Sequence, residues 1–234
     1  MKVKPILFSQ PMVRALLDGK KTQTRRVFKN IEPVGDDVWQ IRNAHGGVVG
    51  VSTEDVPTVA LDYTSHQKGD VLYVREAWGV VKAYDHLSPR EVGSRCIQGG
   101  KARCSIGYRT DGPGRWCQTG CNGAAGKWRP SIHMPRWASR MTLVVTDVRV
   151  QRLQDISEED AKAEGTGACC LKCTEAAPCG CVYPQPDYKD GFALLWDSLN
   201  EDRGFGWDVN PWVTAYTFDV IKQNVDDYLE DMAA

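Results

Sequence analysis

The chain has 234 residues, of which 42% are hydrophobic and 25% are charged, and its formal net charge is −1. This length and composition are typical of one elaborated globular domain. No apolar run approaches the roughly 20 residues that a membrane-spanning helix needs, and the first residues, MKVKPILFSQP, are too short and polar to be typical of a secretory signal. We therefore expect a cytoplasmic protein with no membrane partner.

The charges are unevenly distributed along the chain. Residues 1–29 carry eight Lys or Arg against the single acid Asp18, whereas residues 224–234 carry four acids and no base. This asymmetry favours the N-terminal segment as the place that meets an anionic ligand. A solvated basic surface without a ligand is the alternative interpretation.

The first elements are a short helix and an extended basic segment. Ser9 is a suitable N-cap for the segment PMVRALLDG, and Gly19 is a suitable end. The basic segment DGKKTQTRR begins where this helix ends. Alternation of its side chains predicts an extended conformation in which Thr22, Thr24 and Arg26 share one face.

Three later segments have the composition of strands: GDVLYVREAW, MTLVVTDVRVQRL and PWVTAYTFDVIK. After the second of them, SEEDAKAEG predicts a short helix with Ser157 as N-cap, Asp160 at the capping-box position and Gly165 as terminator. DGFALLWDSLN predicts another amphipathic helix. Several strands, few short helices and long irregular loops favour an α+β fold with a small barrel or a strongly bent sheet.

The basic segment DGKKTQTRR resembles the Gly-x-Lys-x-x-Glu-x-Arg signature of the ASCH domains, which are relatives of the PUA RNA-binding fold. Gly19, Lys21 and Arg26 occupy the matching positions, and Thr24 stands in place of the glutamate. Other segments share a resemblance to phage and prophage ASCH proteins, namely GDVLYVREAW, RPSIHMPRWASR, TDVRVQRLQDISEEDAKAEG and GFGWDVNPWV. The resemblance implies a single PUA-like domain over residues 1–234, with a small mixed β-barrel and short flanking helices.

The threonine at position 24 points to an activity within this family. The small bacterial N4-acetylcytidine amidohydrolases also have Lys-x-x-Thr-x-Arg after the glycine, and the similarity implies that Lys21 is a base and Thr24 a nucleophile. Their acid is a glutamate near the end of the short helix after the long central strand, a position that corresponds to Glu164. The implied substrate is a small N4-acylated cytosine nucleoside. A non-catalytic module that binds RNA or nucleotides, and an ASCH-type ribonuclease, are the alternatives.

This chemistry places demands on the residues around Lys21. A lysine acts as a base only if its pKa is lowered toward neutrality, and burial together with the charges of Lys20, Arg25 and Arg26 would act in that direction. A carboxyl group at the end of a helix is favoured in its protonated form by the helix dipole, which suits Glu164 as the acid.

Three residues are candidates for binding the substrate. Arg26 or a backbone amide is expected to stabilise an oxyanion. Arg75 and Glu76, in the segment YVREAW, are candidates to line the same pocket or to form an internal ion pair, and the ion pair is the favoured interpretation.

The nine cysteines indicate metal binding rather than a disulfide framework, because their number is odd and the chain has no export signal. The run CCLKCTEAAPCGC places four thiolates close enough for one tetrahedral ion, so we predict a structural zinc. Its predicted ligands are Cys170, Cys173, Cys179 and Cys181, with Cys169 as an alternative to Cys170. A second zinc site and loosely placed thiols are both open for Cys96, Cys104, Cys117 and Cys121.

Both sets of cysteines lie in segments that we interpret as insertions, at about 85–130 and 166–189. Neither set has the His-Glu and Cys-x2-Cys pattern of the zinc deaminases. We therefore expect the reaction itself to need no metal or other cofactor.

Overall fold

A computed structural model describes residues 1–43, 46–98, 101–102, 106–112, 124–169 and 187–234. Its residue contacts divide the chain into two compact units. The first unit comprises Met1–Asp18, Gly69–Val144 and Asp219–Ala234. The second unit comprises Gly19–Lys68 and Val145–Phe218.

The described residues form six α-helices and twelve strands. The helices are α1 Gln10–Leu17, α2 Val56–Val59, α3 Pro89–Cys96, α4 Glu158–Ala163, α5 Tyr188–Asn200 and α6 Val225–Ala233. The strands are β1 Val3–Leu7, β2 Gln23–Val27, β3 Ile31–Pro33, β4 Val38–Arg42, β5 Val48–Ser52, β6 Val71–Arg75, β7 Trp78–Val80, β8 Ile97–Gln98, β9 Lys101–Ala102, β10 Ile106–Tyr108, β11 Thr142–Arg152 and β12 Trp212–Ile221.

The first unit is organised around strand β6. This strand pairs in parallel with β1 and antiparallel with the beginning of β11, where Leu72 lies opposite Leu143. A second pairing joins β7 to β10. Trp78, Val92 and Met134 are buried in one core cluster beside this pairing. Helix α1 has the predicted position, and its buried side chains are Val13, Ala15 and Leu16.

The second unit contains the basic segment of the chain as strand β2. This strand pairs antiparallel with β12, so that Thr24 lies opposite Tyr216 and Arg26 lies opposite Thr214. Strands β3, β4 and β5 form a separate antiparallel sheet. One core cluster joins this sheet to β11 and β12, and another packs helices α4 and α5 against β12 through residues such as Phe192 and Val213.

These elements confirm the α+β fold class. Each of the three predicted strand segments contains a strand, and both predicted helices after β11 are present as α4 and α5. None of the sheets built from described residues closes into a barrel, so the PUA-like barrel stays a prediction. Residues 113–123 and 170–186, which make up much of the two proposed insertions, lie outside the described residues. Within the described ranges, no helix has the length and apolar character required to cross a membrane.

Two helix starts allow a matched test of side-chain capping. At α4, Ser157 Oγ accepts a hydrogen bond from the Asp160 N–H at 3.1 Å, whereas Ser9 precedes α1 with no side-chain cap bond to the described residues. We expect Ser157→Ala to lower the free energy of unfolding by about 1 kcal/mol, because one helix N–H then loses its acceptor. Chemical denaturation should show a smaller loss for Ser9→Ala. Equal losses in the two variants would contradict this role for Ser157.

Candidate active site

The candidate site in the second unit begins with the end of helix α4. Ser157 caps the first turn, Glu164 is the C-cap residue, and Gly165 follows with a φ of 81°, a left-handed conformation that favours glycine. The sequence prediction for this helix is therefore confirmed at both ends. The Ala163 carbonyl accepts a hydrogen bond from the Thr22 N–H at 2.8 Å, and this bond places the end of α4 beside the start of β2.

Lys21 and Glu164 meet at this junction. Their backbones form an isolated antiparallel bridge, and the Lys21 Nζ donates to Glu164 Oε2 at 2.7 Å and to the Glu164 carbonyl oxygen at 2.8 Å. The Lys21 side chain has no exposed surface, and that of Glu164 is 4% exposed. The structure thus brings together the predicted base and the predicted acid, which are 143 residues apart in the sequence.

Burial is the main influence on the ionisation of Lys21. It lowers the pKa of the lysine from its ordinary value of 10.5, because a buried ammonium loses its hydration. The charge of Glu164 and its hydrogen bond oppose this effect, and the charges of Arg26 and Arg25 add to it. The lysine is therefore biased toward the neutral form that a general base requires.

Arg25 connects Glu164 to a second carboxylate on α4. Its Nη1 donates to Glu164 Oε1 at 3.1 Å, and its Nη2 donates to Asp160 Oδ2 at 2.7 Å. Asp160 also accepts from Gln23 at 2.8 Å and from Arg149 at 3.0 Å. Burial alone would raise the pKa of Asp160, but the hydrogen bond from Gln23 and the charges of Arg25 and Arg149 outweigh it and lower the pKa.

Thr24 lies on the other face of β2. Gln23 and Arg25 contact α4, and successive side chains of a strand alternate between its faces, so Thr24 and Arg26 share the face opposite Gln23 and Arg25. The Thr24 side chain is buried, whereas Arg26 is exposed. Protein surroundings nevertheless lower the pKa of Arg26 by desolvation. The charge of Glu164 opposes this shift, so Arg26 lies within electrostatic reach of the end of α4.

Tyr216 forms the wall beside Thr24. It is buried opposite Thr24 in the β2–β12 pairing, and burial raises the pKa of its hydroxyl. Hydrogen bonds with Thr214, Ser65 and His66 partly offset that shift, and the His66 ring contacts the Tyr216 ring with centroids 5.1 Å apart. The face that carries Thr24 and Arg26 is therefore polar and aromatic.

Arg75 and Glu76 belong to the first unit. Arg75 donates to the Ile132 carbonyl at 3.3 Å and to the Tyr73 hydroxyl at 3.1 Å. Glu76 forms its ion pair with Arg140, at 2.8 Å, rather than with Arg75. Glu76 therefore does form an internal ion pair, but its cation is Arg140 and not Arg75. A role of Arg75 and Glu76 in binding substrate stays a prediction.

Sequence reasoning did not assign Asp160 or Tyr216 to the site, and it considered Arg25 only as a nearby charge. Asp160 and Glu164 are four residues apart, a spacing that places two carboxylates on one face of a helix. The alternation of β12 likewise puts Thr214 and Tyr216 on one face. Neither pattern predicts which strand lies against the face in question. Only the folded structure therefore identifies the residues that Asp160 and Tyr216 contact.

No family model, curated protein or solved structure matches this chain. The resemblance to ASCH domains, and the activity that it implies, therefore stay predictions.

The predicted zinc ligands Cys170, Cys173, Cys179 and Cys181 lie outside the described residues, as do Cys104, Cys117 and Cys121. Among the residues that are described, no group of three or more His, Cys, Asp or Glu side chains is arranged to hold a metal ion. Cys169 is buried, and its backbone pairs with that of Asp187 through hydrogen bonds of 2.8 and 3.0 Å. The zinc sites stay predictions.

The Lys21–Glu164 contact gives a prediction about stability. We expect Glu164→Ala to lower the free energy of unfolding by about 3–5 kcal/mol, because Lys21 and Arg25 are then left buried without their carboxylate. Glu32 is the matched control, since it pairs with Arg42 at the surface and its removal should cost about 0–1 kcal/mol. Urea denaturation of both variants measures the difference. A loss for Glu164→Ala as small as that for Glu32→Ala would contradict the assignment.

The zinc prediction has an independent test. Elemental analysis of the purified chain should find at least about one zinc per molecule, because four neighbouring thiolates complete one tetrahedral site. Cys173→Ser should lower the zinc content. Comparing Cys169→Ser with Cys170→Ser identifies which of the two thiolates is the ligand. Absence of zinc from protein purified without chelator would refute the prediction.

Proposed function

We propose that the protein hydrolyses the amide of N4-acylated cytosine nucleosides, with Thr24 as nucleophile, Lys21 as base and Glu164 as acid. The observation that supports this most directly is the buried 2.7 Å contact between Lys21 Nζ and Glu164 Oε2. Thr24 lies on the strand that begins two residues after Lys21. The resemblance of this segment to the N4-acetylcytidine amidohydrolases motivates the choice of substrate.

The proposed role of Lys21 follows from its surroundings. A threonine hydroxyl is a weak nucleophile unless a nearby base accepts its proton. Burial lowers the pKa of Lys21, so a larger fraction of this side chain is neutral near physiological pH than is usual for lysine.

The reaction that we propose has two halves. In the first, Thr24 Oγ attacks the acyl carbonyl and its proton passes to neutral Lys21. Lys21 then passes a proton to the Glu164 carboxylate along their hydrogen bond, and Glu164 protonates N4 as the carbon–nitrogen bond breaks. In the second half, water attacks the acyl ester of Thr24 and gives a proton to Lys21. Lys21 returns this proton to Thr24 Oγ as the ester bond breaks, and the acyl group leaves as a carboxylic acid.

Substrate access in this proposal comes from the face of β2 that carries Arg26. Thr24 is only 2% exposed, whereas Arg26 on the same face is exposed. We assign to the Arg26 guanidinium, two residues further along this face, the role of stabilising the oxyanion. The aromatic ring of Tyr216 and the adjacent His66 are suited to contact the cytosine ring.

An alternative function also has a supporting observation. The exposed cation Arg26, on the basic segment that includes Lys20 and Lys21, is suited to binding a phosphate group. In that case the protein would be a non-catalytic RNA- or nucleotide-binding module, or an ASCH-type ribonuclease, and the buried Lys21–Glu164 contact would serve only to hold α4 against β2.

The proposed reaction is tested by incubating the purified protein with N4-acetylcytidine and following the ultraviolet spectrum as cytidine forms. We expect Thr24→Ala, Lys21→Ala and Glu164→Gln each to lower kcat at least about a thousand-fold, because the three groups act as one unit. Thr22→Ala and Glu159→Ala are matched controls and should retain activity. Both control residues are exposed neighbours of the same chemical type.

Three outcomes separate the proposed functions. Turnover that depends on Thr24 but not on Thr22 supports the amidohydrolase. No turnover of any N4-acylcytosine, together with RNA binding that weakens steeply with salt, supports the binding module. RNA cleavage that depends on Lys21 supports the ribonuclease. Either of the last two outcomes would overturn the proposed amidohydrolase.

A further inference from the structure

Arg25 is the residue of the candidate site whose contacts the proposed reaction does not use. It directly follows the proposed nucleophile but points to the opposite face of β2, toward α4. Its side chain is buried, and its guanidinium lies 5.9 Å from the centroid of the Phe192 ring. A cation held this firmly inside the protein has a stabilising or a positioning role.

The geometry of the Arg25 guanidinium favours a positioning role over a purely stabilising one. Nη1 donates to Glu164 and Nη2 donates to Asp160, so one rigid planar group spans two carboxylates that are one helical turn apart. This arrangement occupies Oε1 of Glu164. The other oxygen, Oε2, is the one that accepts the hydrogen bond from Lys21.

The two oxygens of Glu164 therefore have different partners. Since Arg25 holds Oε1, rotation of the carboxylate about its own axis is restricted, and Oε2 stays directed at the Lys21 ammonium. Without Arg25, both oxygens would be available to Lys21. A proton transfer that depends on a 2.7 Å contact is sensitive to such a loss of orientation.

We propose that Arg25 is a positioning residue that orients the Glu164 carboxylate toward Lys21. The catalytic consequence rests on the proposed amidohydrolase function, but the orientation itself is a property of the folded protein that can be measured without a substrate. Asp160 supports Arg25 in this role by fixing the other end of its guanidinium.

Arg149 provides the matched control. Its Nη2 also donates to Asp160, at 3.0 Å, but its other ion pair is with Asp147 at 3.3 Å. Arg149→Gln therefore removes a cation from Asp160 while the bonds of Glu164 to Arg25 and Lys21 are retained. If Arg25 merely holds α4 against the sheet, the two arginine variants should behave alike.

The direction in which replacing Arg25 changes the pKa of Lys21 follows from the surrounding charges. The charged groups around Lys21 are Glu164 at the end of α4 and Arg25 and Arg26 on β2, and both arginines lower the pKa of the lysine. Arg25→Gln removes one of these positive charges and frees Oε1 of Glu164. Both changes favour the protonated lysine, so the pKa of Lys21 should rise.

The experiment compares wild type, Arg25→Gln, Arg25→Lys and Arg149→Gln, with circular dichroism to verify that each variant is folded. The first readout is the pH at which Lys21 is half protonated, measured by NMR of protein whose lysines carry an isotope label and referred to as the labelling midpoint. The second is kcat and KM for N4-acetylcytidine. We expect Arg25→Gln to move the labelling midpoint to higher pH and to lower kcat by about 10- to 100-fold with little change in KM. Arg149→Gln should match the wild type in both readouts.

Arg25→Lys separates charge from orientation. It keeps the positive charge but cannot span Asp160 and Glu164 with a single planar group. Its labelling midpoint should stay near that of the wild type, while its kcat falls. This variant also provides the decisive comparison if Arg25→Gln does not fold.

Two results would overturn the positioning role. One is that Arg25→Gln and Arg149→Gln change the labelling midpoint and kcat equally. The other is that Arg25→Lys, with its charge kept, has the kcat of the wild type. If the wild type does not hydrolyse N4-acetylcytidine, the amidohydrolase fails. Crystal structures of the wild type and Arg25→Lys still decide whether Arg25 orients Glu164, since an unchanged contact between Lys21 Nζ and Glu164 Oε2 in Arg25→Lys would refute it.

Discussion

The buried contact between the Lys21 ammonium and the Glu164 carboxylate is the interaction on which the candidate site depends. Removing a lysine and a glutamate from water costs free energy that their mutual attraction repays only when the geometry is good and the remaining hydrogen bonds are satisfied. Lys21 meets this requirement by donating to both the carboxylate and the carbonyl of Glu164. Glu164 meets it through Arg25. The same burial that makes the contact costly also lowers the pKa of Lys21.

This constraint explains why the two faces of β2 differ. The face that carries Arg25 packs against α4, and Arg25 holds Glu164 in place by hydrogen bonds to Glu164 and Asp160. The face that carries Thr24 and Arg26 lies opposite Thr214 and Tyr216, and it includes the exposed side chain of Arg26. One short strand therefore carries Arg25, which orients Glu164, on one face and the groups proposed to meet a substrate on the other, and the charge of Glu164 acts on both arginines.

The first unit also contains an arginine, Arg140, that contacts two carboxylates as Arg25 does, but it binds them in a different pattern. Arg140 donates to both Glu76 and Asp111 and lies 4.0 Å from the centroid of the Tyr108 ring. Burial would lower the pKa of Arg140, but the hydrogen bonds and charges of the two carboxylates raise it. Both oxygens of Glu76 accept from this one guanidinium, whereas the oxygens of Glu164 are divided between an arginine and a lysine. In the proposed reaction, this division leaves Oε2 of Glu164 for proton transfer with Lys21.

The sequence alone determined the elements whose signals are local. Ser157 and Gly165 delimit α4 because a cap bond and a left-handed glycine involve only neighbouring residues, and the composition of PWVTAYTFDVIK predicted β12. The tertiary structure decided the partners. Arg25 and Asp160 are 135 residues apart, and Glu76 pairs with Arg140 rather than with the adjacent Arg75. Periodicity specifies the direction of a side chain within its own element, but the charge that it meets depends on how distant elements pack.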